Sequence, residues 1–302
     1  MSLLNIGSIA TDHIVTPYGE ERNSLGGSAI YASIASSKMA LTRIVGVVGD
    51  DMAEKFEEVL RKNHIDSKGL EVVEGKTFHW HGVYDNLNKA ETRDTQLNVF
   101  AKFSPKIPDA YLDSDLVFLG NINPELQLLV LEKFYRKAFI AMDTMNFWIK
   151  NSYENLVKVL KRVDLLFINE DELKMLTHEN NIFKAADKVF DFGLQYLVIK
   201  RGEYGSIFMD RYRDMFFVPV YPLREIIDPT GAGDSFAGGF MGYLDGHSKL
   251  CFSIFRSAMI YGTIAASYNI ESFSFKNIQR KTLKNFNSRI NELIKYMNME
   301  SN

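Results

Sequence analysis

The chain has 302 residues, a formal net charge of −3 and a single cysteine, Cys251. That length suits one α/β enzyme with a sizeable core, the near-balanced charge leaves no basic footprint for nucleic acid, and one cysteine excludes an internal disulfide and a cysteine-based zinc site. No apolar run approaches the ~20 residues of a membrane span and the start lacks the basic and apolar regions of a signal peptide, so a cytoplasmic protein with no membrane partner is expected.

Leu3 to Ile9 reads as a buried first strand running into a loop that carries Asp12. His13 to Thr16 reads as a short strand and Tyr18 to Arg22 as a polar turn, so this excursion is expected to be small. Gly26 and Gly27 open a run of small residues through Ala35, with Tyr31 inside it. A tightly packed helix is expected there, its N-terminus open to a ligand. Tyr31 is either a core residue or a ring that stacks on or hydrogen-bonds a ligand. Ile44 to Gly49 is a second strand, and Asp50 and Asp51 are expected to cap a helix from Met52 to about Lys62. Thr77 to Val83 alternates, with Phe78, Trp80 and Gly82 on one side and His79, His81 and Val83 on the other. With a polar turn at Asn86–Glu91 and a strand-like Gln96–Phe103, it forms an antiparallel excursion. The two histidines lack a third ligand, and Phe78 and Trp80 read first as packing residues and second as aromatics facing a base or sugar.

From Asp115 onward strands and helices alternate. Leu116–Gly120, Phe139–Asp143, Leu165–Ile168 and Leu197–Lys200 are continuous apolar strands, with helices over Pro124–Ala138 and Asn151–Val163 between the first three. Such runs indicate a parallel sheet covered on both faces, whose ligands lie outside the carboxyl ends of the strands. Polar clusters follow each strand at that edge. Asn169 and Glu172 can cap the next helix or hold a hydrated Mg2+, which takes oxygen ligands. Lys200, Gly202 and Gly205 can form a hairpin turn or place an amine near a phosphate.

Ile226 to Phe240 joins an apolar pair, a proline turn, three small residues (Gly231, Ala232, Gly233), Asp234 and a helix starting near Asp234. The amides of the small residues form a ready anion site at that helix start. Asp234 either caps the helix or takes a proton from a hydroxyl beside the bound anion. The second arrangement is the minimum needed to move a phosphoryl group to an alcohol. Phe252–Ala266 and Asn277–Asn298 read as closing helices, and Met297–Asn302 as a frayed end.

The string Asp228-Pro229-Thr230-Gly231-Ala232-Gly233-Asp234 resembles the C-terminal signature of the ribokinase-like (PfkB) carbohydrate kinases, and weaker motifs follow that family's order: Asp12, Gly26-Gly27, Asn169-x-x-Glu172 and Lys200-x-Gly202-x-x-Gly205. The resemblance implies a three-layer α/β/α sandwich of residues 1–302 with a mostly parallel central sheet and a small β lid from about 13–25 and 76–103. It implies an ATP-dependent kinase in which Asp234 is the base and Gly231, Ala232 and Gly233 supply the anion hole. Asp12, Gly26, Gly27, Tyr31 and Asn146 would meet the acceptor. Lys200, Gly202, Gly205 and Thr230 would meet the nucleotide. Glu172 and Asn169 would hold Mg2+ through water, and Asp228 could take part in a site for K+. Tyr31 stands where the family often has asparagine, and Phe147 and Trp148 stand near where some members have an arginine, which points away from a phosphorylated acceptor. A neutral acceptor is therefore expected, a nucleoside before a simple sugar such as a pentose or hexose. A non-catalytic nucleotide or sugar sensor on the same fold is the other class, acting as monomer or homodimer. A dinucleotide oxidoreductase lacks its glycine fingerprint.

Overall fold

The computed structural model describes residues 2–87, 89–134 and 138–297. In chain order the elements begin with β1 (Leu3–Ile6), β2 (Ala10–Thr16), β3 (Gly19–Gly26), α1 (Ser28–Ser36), β4 (Thr42–Gly49), α2 (Ala53–Lys62), β5 (Asp66–Val73), β6 (Phe78–Asn86) and β7 (Lys89–Gln96). After two short 3-10 turns come β8 (Leu116–Leu119), α3 (Pro124–Phe134), β9 (Phe139–Asp143), α4 (Asn146–Asn151), α5 (Tyr153–Leu160), β10 (Leu165–Asn169), α6 (Glu170–Thr177), α7 (Ile182–Phe190) and β11 (Tyr196–Lys200). The chain ends with β12 (Ser206–Asp210), β13 (Met215–Val218), α8 (Ala232–Leu244), α9 (Phe252–Asn269), α10 (Lys276–Gln279) and α11 (Leu283–Met297). Residues 135–137, where the helix was expected to continue, and 298–302, expected to fray, lie outside the described residues.

The strands form a nine-stranded sheet in the order β13-β12-β11-β10-β9-β8-β1-β4-β5 and a four-stranded sheet in the order β3-β2-β6-β7. In the large sheet every pairing is parallel except those of β12. Its central strands are apolar on both sides because both faces are covered. Val117, Leu166, Ile168 and Leu197 pack against α3, α5, α6 and α7, whereas Phe118, Leu165, Phe167 and Val198 pack against α8 and α9. The result is a three-layer α/β/α sandwich.

Small residues bring α8 close to its neighbours. A side chain at Gly238 would run into the backbone of Ala32 in α1, and one at Gly239 would come within 2.6 Å of Ala265 in α9. This tight packing anchors the start of α8, where the signature lies.

The small sheet departs from the sequence-based expectation. β2 and β3 form a full antiparallel hairpin over residues 10–26, with β6 beside β2 in parallel register. Asp12 therefore sits within a strand of the small sheet, rather than in a loop after the first strand. Of the turn expected at Asn86–Glu91, Leu87 is a turn and Asn88 lies outside the described residues, with strand at Asn86 and at Lys89–Glu91, and Asn98–Lys102 of the expected Gln96–Phe103 strand is a 3-10 turn after β7. Asp50 and Asp51 do not cap α2: Asp50 accepts from the Gly75 amide at 3.0 Å, and Asp51 accepts from the Thr77 amide at 2.9 Å and hydroxyl at 2.7 Å. They tie down the connection from β5 into the small sheet.

Candidate active site

The carboxyl ends of β9, β10 and β11 deliver Asp143, Asn169 and Lys200 to one edge, and the start of α8 faces them. Gly231 is the N-cap of α8 with φ 72° and ψ 5°, a left-handed conformation that favours glycine. The ring of Tyr31 occupies the space a side chain there would need. The helix begins at Ala232, two residues before the expected start, so Asp234 lies in its first turn and not at its cap. Ala232 was expected in the anion hole, but its amide donates to the Pro229 carbonyl at 3.1 Å, closing the proline turn. The amides of Gly231 and Gly233 donate to no protein group among the described residues, so those two remain for an anion.

Lys200 Nζ lies 3.0 Å from where a Gly233 side chain would begin, and it donates to Asp143 Oδ2 at 2.6 Å. Burial pulls the lysine pKa down, but Asp143 and Glu172 outweigh it and hold the amine above its ordinary value. Asp234 keeps some contact with solvent, yet protein crowds it closely. Desolvation first, then the Asp143 charge, raise it to about 7 against the pull of Lys200. Glu172 is raised to about 7 by burial, with Lys200 opposing and Asp143 adding to the shift. Asn169 and Glu172 do cap α6: Asn169 Oδ1 accepts from the Glu172 amide at 2.8 Å and Glu172 Oε2 accepts from the Asn169 amide at 3.1 Å.

On one side of Asp234 opens a cavity of about 650 Å3, whose wall includes Lys200, Gly202, Gly205, Ala232 and Gly233. Apolar residues complete it: Ile226, Pro229, Phe236, Ala266 and Ile270, with Leu87 reaching in from the small sheet. Gly202 and Gly205, with φ 54° and 82°, shape the turn between β11 and β12 that borders it. The helix expected over Phe252–Ala266 contributes to this wall through Ala266, whereas the sequence reading named none of Val220, Tyr221, Pro222 and Leu223, which carry no polar motif.

On the other side lie buried polar groups. Asp12 is 3 % exposed, its carboxylate fills the space beside Gly26, and it makes no hydrogen bond to the protein among the described residues. Burial, then the charges of Asp228 and Asp234, raise its pKa well above the carboxylate range. Tyr31 is buried, and its hydroxyl, which lies near Ser274, makes no well-formed hydrogen bond among the described residues. Tyr84 of β6 accepts a 3.0 Å hydrogen bond from the Thr230 hydroxyl. Asp228 is fully buried and accepts from the Thr230 amide at 2.8 Å and the Ser274 amide at 2.9 Å. Those two bonds account for both of its oxygens.

Several expectations change. Thr230, expected at the nucleotide, points its hydroxyl at Tyr84 of the small sheet and is absent from the cavity wall. Asn146 is exposed at the first position of α4 and is not drawn into the cluster. The start of α1 behind Gly26 and Gly27 is not open: Ser28 N donates to Ser8 Oγ and Ala29 N to the Ser8 carbonyl, both at 3.1 Å. Phe78 stacks on Phe100 with centroids 5.4 Å apart, and Trp80 lies over Gly82 and donates to Thr92 Oγ1 at 3.2 Å. Both aromatics serve packing within and beside the small sheet. His79 pairs with Thr11, and among the described residues no group of three or more histidine, cysteine or acidic side chains could hold a metal. Tyr84, which sequence reasoning missed, follows Phe78, Trp80 and Gly82 on the same side of β6, so the period-two pattern contained it.

The sequence profile of the pfkB family carbohydrate kinases matches residues 2–255. The chain belongs to the pfkB family of carbohydrate kinases. It is 32 % identical over 256 residues to the cytidine kinase of Thermococcus kodakarensis, covering 82 % of this chain and 90 % of that one. It is 22 % identical to the nucleoside kinase of Methanocaldococcus jannaschii, covering 88 % of this chain and 89 % of the relative. In fold it is similar to the crystal structure of the M. jannaschii nucleoside kinase, with TM-score 0.78, 20 % identity and coverage of 97 % and 99 %. It is also similar to the Burkholderia thailandensis nucleoside kinase in complex with inosine, with TM-score 0.80, 18 % identity and coverage of 97 % and 98 %. The pfkB kinase is a phosphotransferase that acts on a hydroxyl group. No helix among the described residues is long and apolar enough to cross a membrane.

Proposed function

We propose that this kinase transfers the γ-phosphate of ATP to a hydroxyl of a neutral nucleoside. The observation that carries the reading is the pair of unlike compartments meeting at Asp234: an apolar cavity ending at Gly233, whose amide has no partner among the described residues, and a buried polar chamber holding the unpartnered Asp12 carboxylate. The names of the archaeal relatives support a nucleoside as acceptor. The charges acting on Asp12 are Asp228 and Asp234, both negative, which disfavours an anionic acceptor.

In this reading Asp12 accepts a hydrogen bond from one acceptor hydroxyl, and Asp234 takes the proton from another as the phosphoryl group is transferred. The Gly231 and Gly233 amides, with Lys200 beside them, receive the charge that grows on the transferred group. Gly202 and Gly205 shape the nucleotide turn, and Gly26 leaves room for Asp12. The small sheet acts as a lid, with residues 1–302 working as one unit. The residues suit a hydrated Mg2+ and not a directly ligated one: among the described residues no three acidic side chains stand close enough to ligate a metal, but the charges of Asp143, Glu172 and Asp234 all act on the one amine of Lys200, an excess that a cation held through water would relieve. Bound there through water by Glu172, with Asn169 fixed by its cap, Mg2+ would neutralise phosphate charge. Asp228 is read as the residue that ties the signature loop to Ser274; K+ is not needed to account for its carboxylate. The need for ATP and Mg2+ supports the cytoplasm as the place of the reaction.

The test is magnesium- and ATP-dependent ADP release with a panel of nucleosides and free sugars. Turnover with cytidine or other nucleosides and none with sugars is expected. Turnover confined to a sugar would replace the acceptor. Tight ATP binding without turnover on any acceptor would make the protein a sensor.

A further inference from the structure

We propose that Tyr84 is the specificity residue through which the small sheet recognises the acceptor, its phenol donating a hydrogen bond to an acceptor hydroxyl oxygen while Thr230 fixes its orientation. The inference rests on the nucleoside kinase reading and names a residue for it.

Register places Tyr84. In the parallel pairing of β2 with β6, Ala10, Asp12 and Ile14 lie opposite Phe78, Trp80 and Gly82, so these residues share one face of the small sheet. Tyr84 is the next member of that face, and it is 8 % exposed. The Thr230 hydroxyl donates to its oxygen at 3.0 Å, and the Thr230 amide donates to Asp228 at 2.8 Å. The phenol oxygen is therefore used as an acceptor, and its own proton remains to be donated elsewhere.

The surroundings show what that proton is for. Asp12, Asp228 and Asp234 are the carboxylates whose charges reach Tyr84, and burial together with these charges pushes its pKa well above the usual phenol range. The group thus stays a neutral donor at any working pH. In the ionised form that proton transfer requires, Asp234 only accepts hydrogen bonds, and the carboxylate of Asp228 is already committed to two amides, so neither bonds to the oxygen of an acceptor hydroxyl. A hydroxyl-bearing acceptor needs at least one donor in the same chamber. The Tyr31 and Tyr84 hydroxyls are both donors there, and of the two Tyr84 comes from the small sheet, the element that closes over the site. The Tyr84–Thr230 hydrogen bond joins that element to the signature loop across 146 positions of sequence.

The experiment uses the full chain and the acceptor that the wild type turns over. Tyr84→Phe keeps the ring and removes the hydroxyl; loss of one such hydrogen bond is expected to raise the acceptor KM about tenfold. The KM for ATP and the melting temperature should stay at wild-type values. An acceptor KM within about twofold of wild type would overturn the proposal, as would an equal rise in the KM for ATP, the mark of a merely structural role. Thr230→Val is expected to raise the acceptor KM by about threefold, and the double variant to match Tyr84→Phe alone, because Thr230 acts through Tyr84. Additive effects would overturn the orienting role. If the wild type turned over only a sugar, the nucleoside reading would fail, while the same variants on that sugar would still decide Tyr84.

Discussion

On the proposed nucleotide side of Asp234 the wall is apolar, built from Ile226, Phe236, Ala266 and Ile270. On the acceptor side Asp12, Asp228, Tyr31 and Tyr84 are all at most 8 % exposed. The first wall is what folding favours on its own, since burying apolar surface is stabilising whether or not a ligand comes. The second runs against folding: desolvating a carboxylate is costly unless it is paired. Asp228 meets that cost with two amides, but Asp12 has no hydrogen bond among the described residues. A buried, unpartnered carboxylate persists where a ligand completes it. The contrast supports the proposed assignment of the two sides, because a flat base suits the apolar slot and a polyhydroxyl group suits the polar chamber.

The largest break in this arrangement is Asp234→Asn. Loss of the base should lower kcat by roughly 10²–10⁴ while calorimetry still shows ATP binding; a loss under tenfold would remove Asp234 from proton transfer. Next comes Lys200→Met, which strands Asp143 without its 2.6 Å partner. Breaking a buried pair costs about 3–5 kcal/mol, so denaturant unfolding should show a loss of that order. A change below ~1 kcal/mol would place the pair among weak surface contacts.

The raised carboxyls predict opposite pH trends for stability and activity. Asp234 and Glu172, at about 7 in the folded protein, hold protons there that the unfolded chain releases near pH 4. Their contribution is fully present below pH ~4 and is lost as pH rises to about 7, by at most about 1.4 kcal/mol per unit for each group. Over the upper part of that range kcat/KM should rise, because the base must be ionised. Unfolding curves from pH 4 to 8 beside rate profiles check both slopes, and a stability that climbs with pH would refute the raised values.

Gly231→Ala is expected to cost about 1–3 kcal/mol and to slow turnover, since a left-handed non-glycine residue is strained and the added methyl would displace Tyr31. Wild-type stability and rate would show that the loop yields freely. The smallest effect sharpens the acceptor side: Trp80→Phe should leave the acceptor KM within about twofold, because Trp80 packs over Gly82 in its own strand and exchanges there are tolerated. A tenfold rise would return Trp80 to the acceptor.

Much of this is open to a sequence reader. The apolar strands at Leu116, Phe139, Leu165 and Leu197 announce a sheet covered on both faces, and the signature from Asp228 to Asp234 announces the kinase. The places where the packed structure departs from the linear reading have a common cause. Distance along the chain from a strand end puts Asp12 in a loop, Thr230 beside the nucleotide and Asn146 at the acceptor. What decides them is a hairpin, a hydrogen bond to β6 and the exposed start of α4.

Local chemistry determines the strand and helix pattern, the glycine and proline turns, and the order of the motifs, because periodicity, backbone freedom and capping act over a few residues. Partnership is different. Lys200 meets Asp143 across 57 positions, and Thr230 meets Tyr84 across 146. The raised pKa of Asp234 and the isolation of Asp12 exist only once those elements are packed, since desolvation and charge depend on neighbours in space that the linear chain does not name.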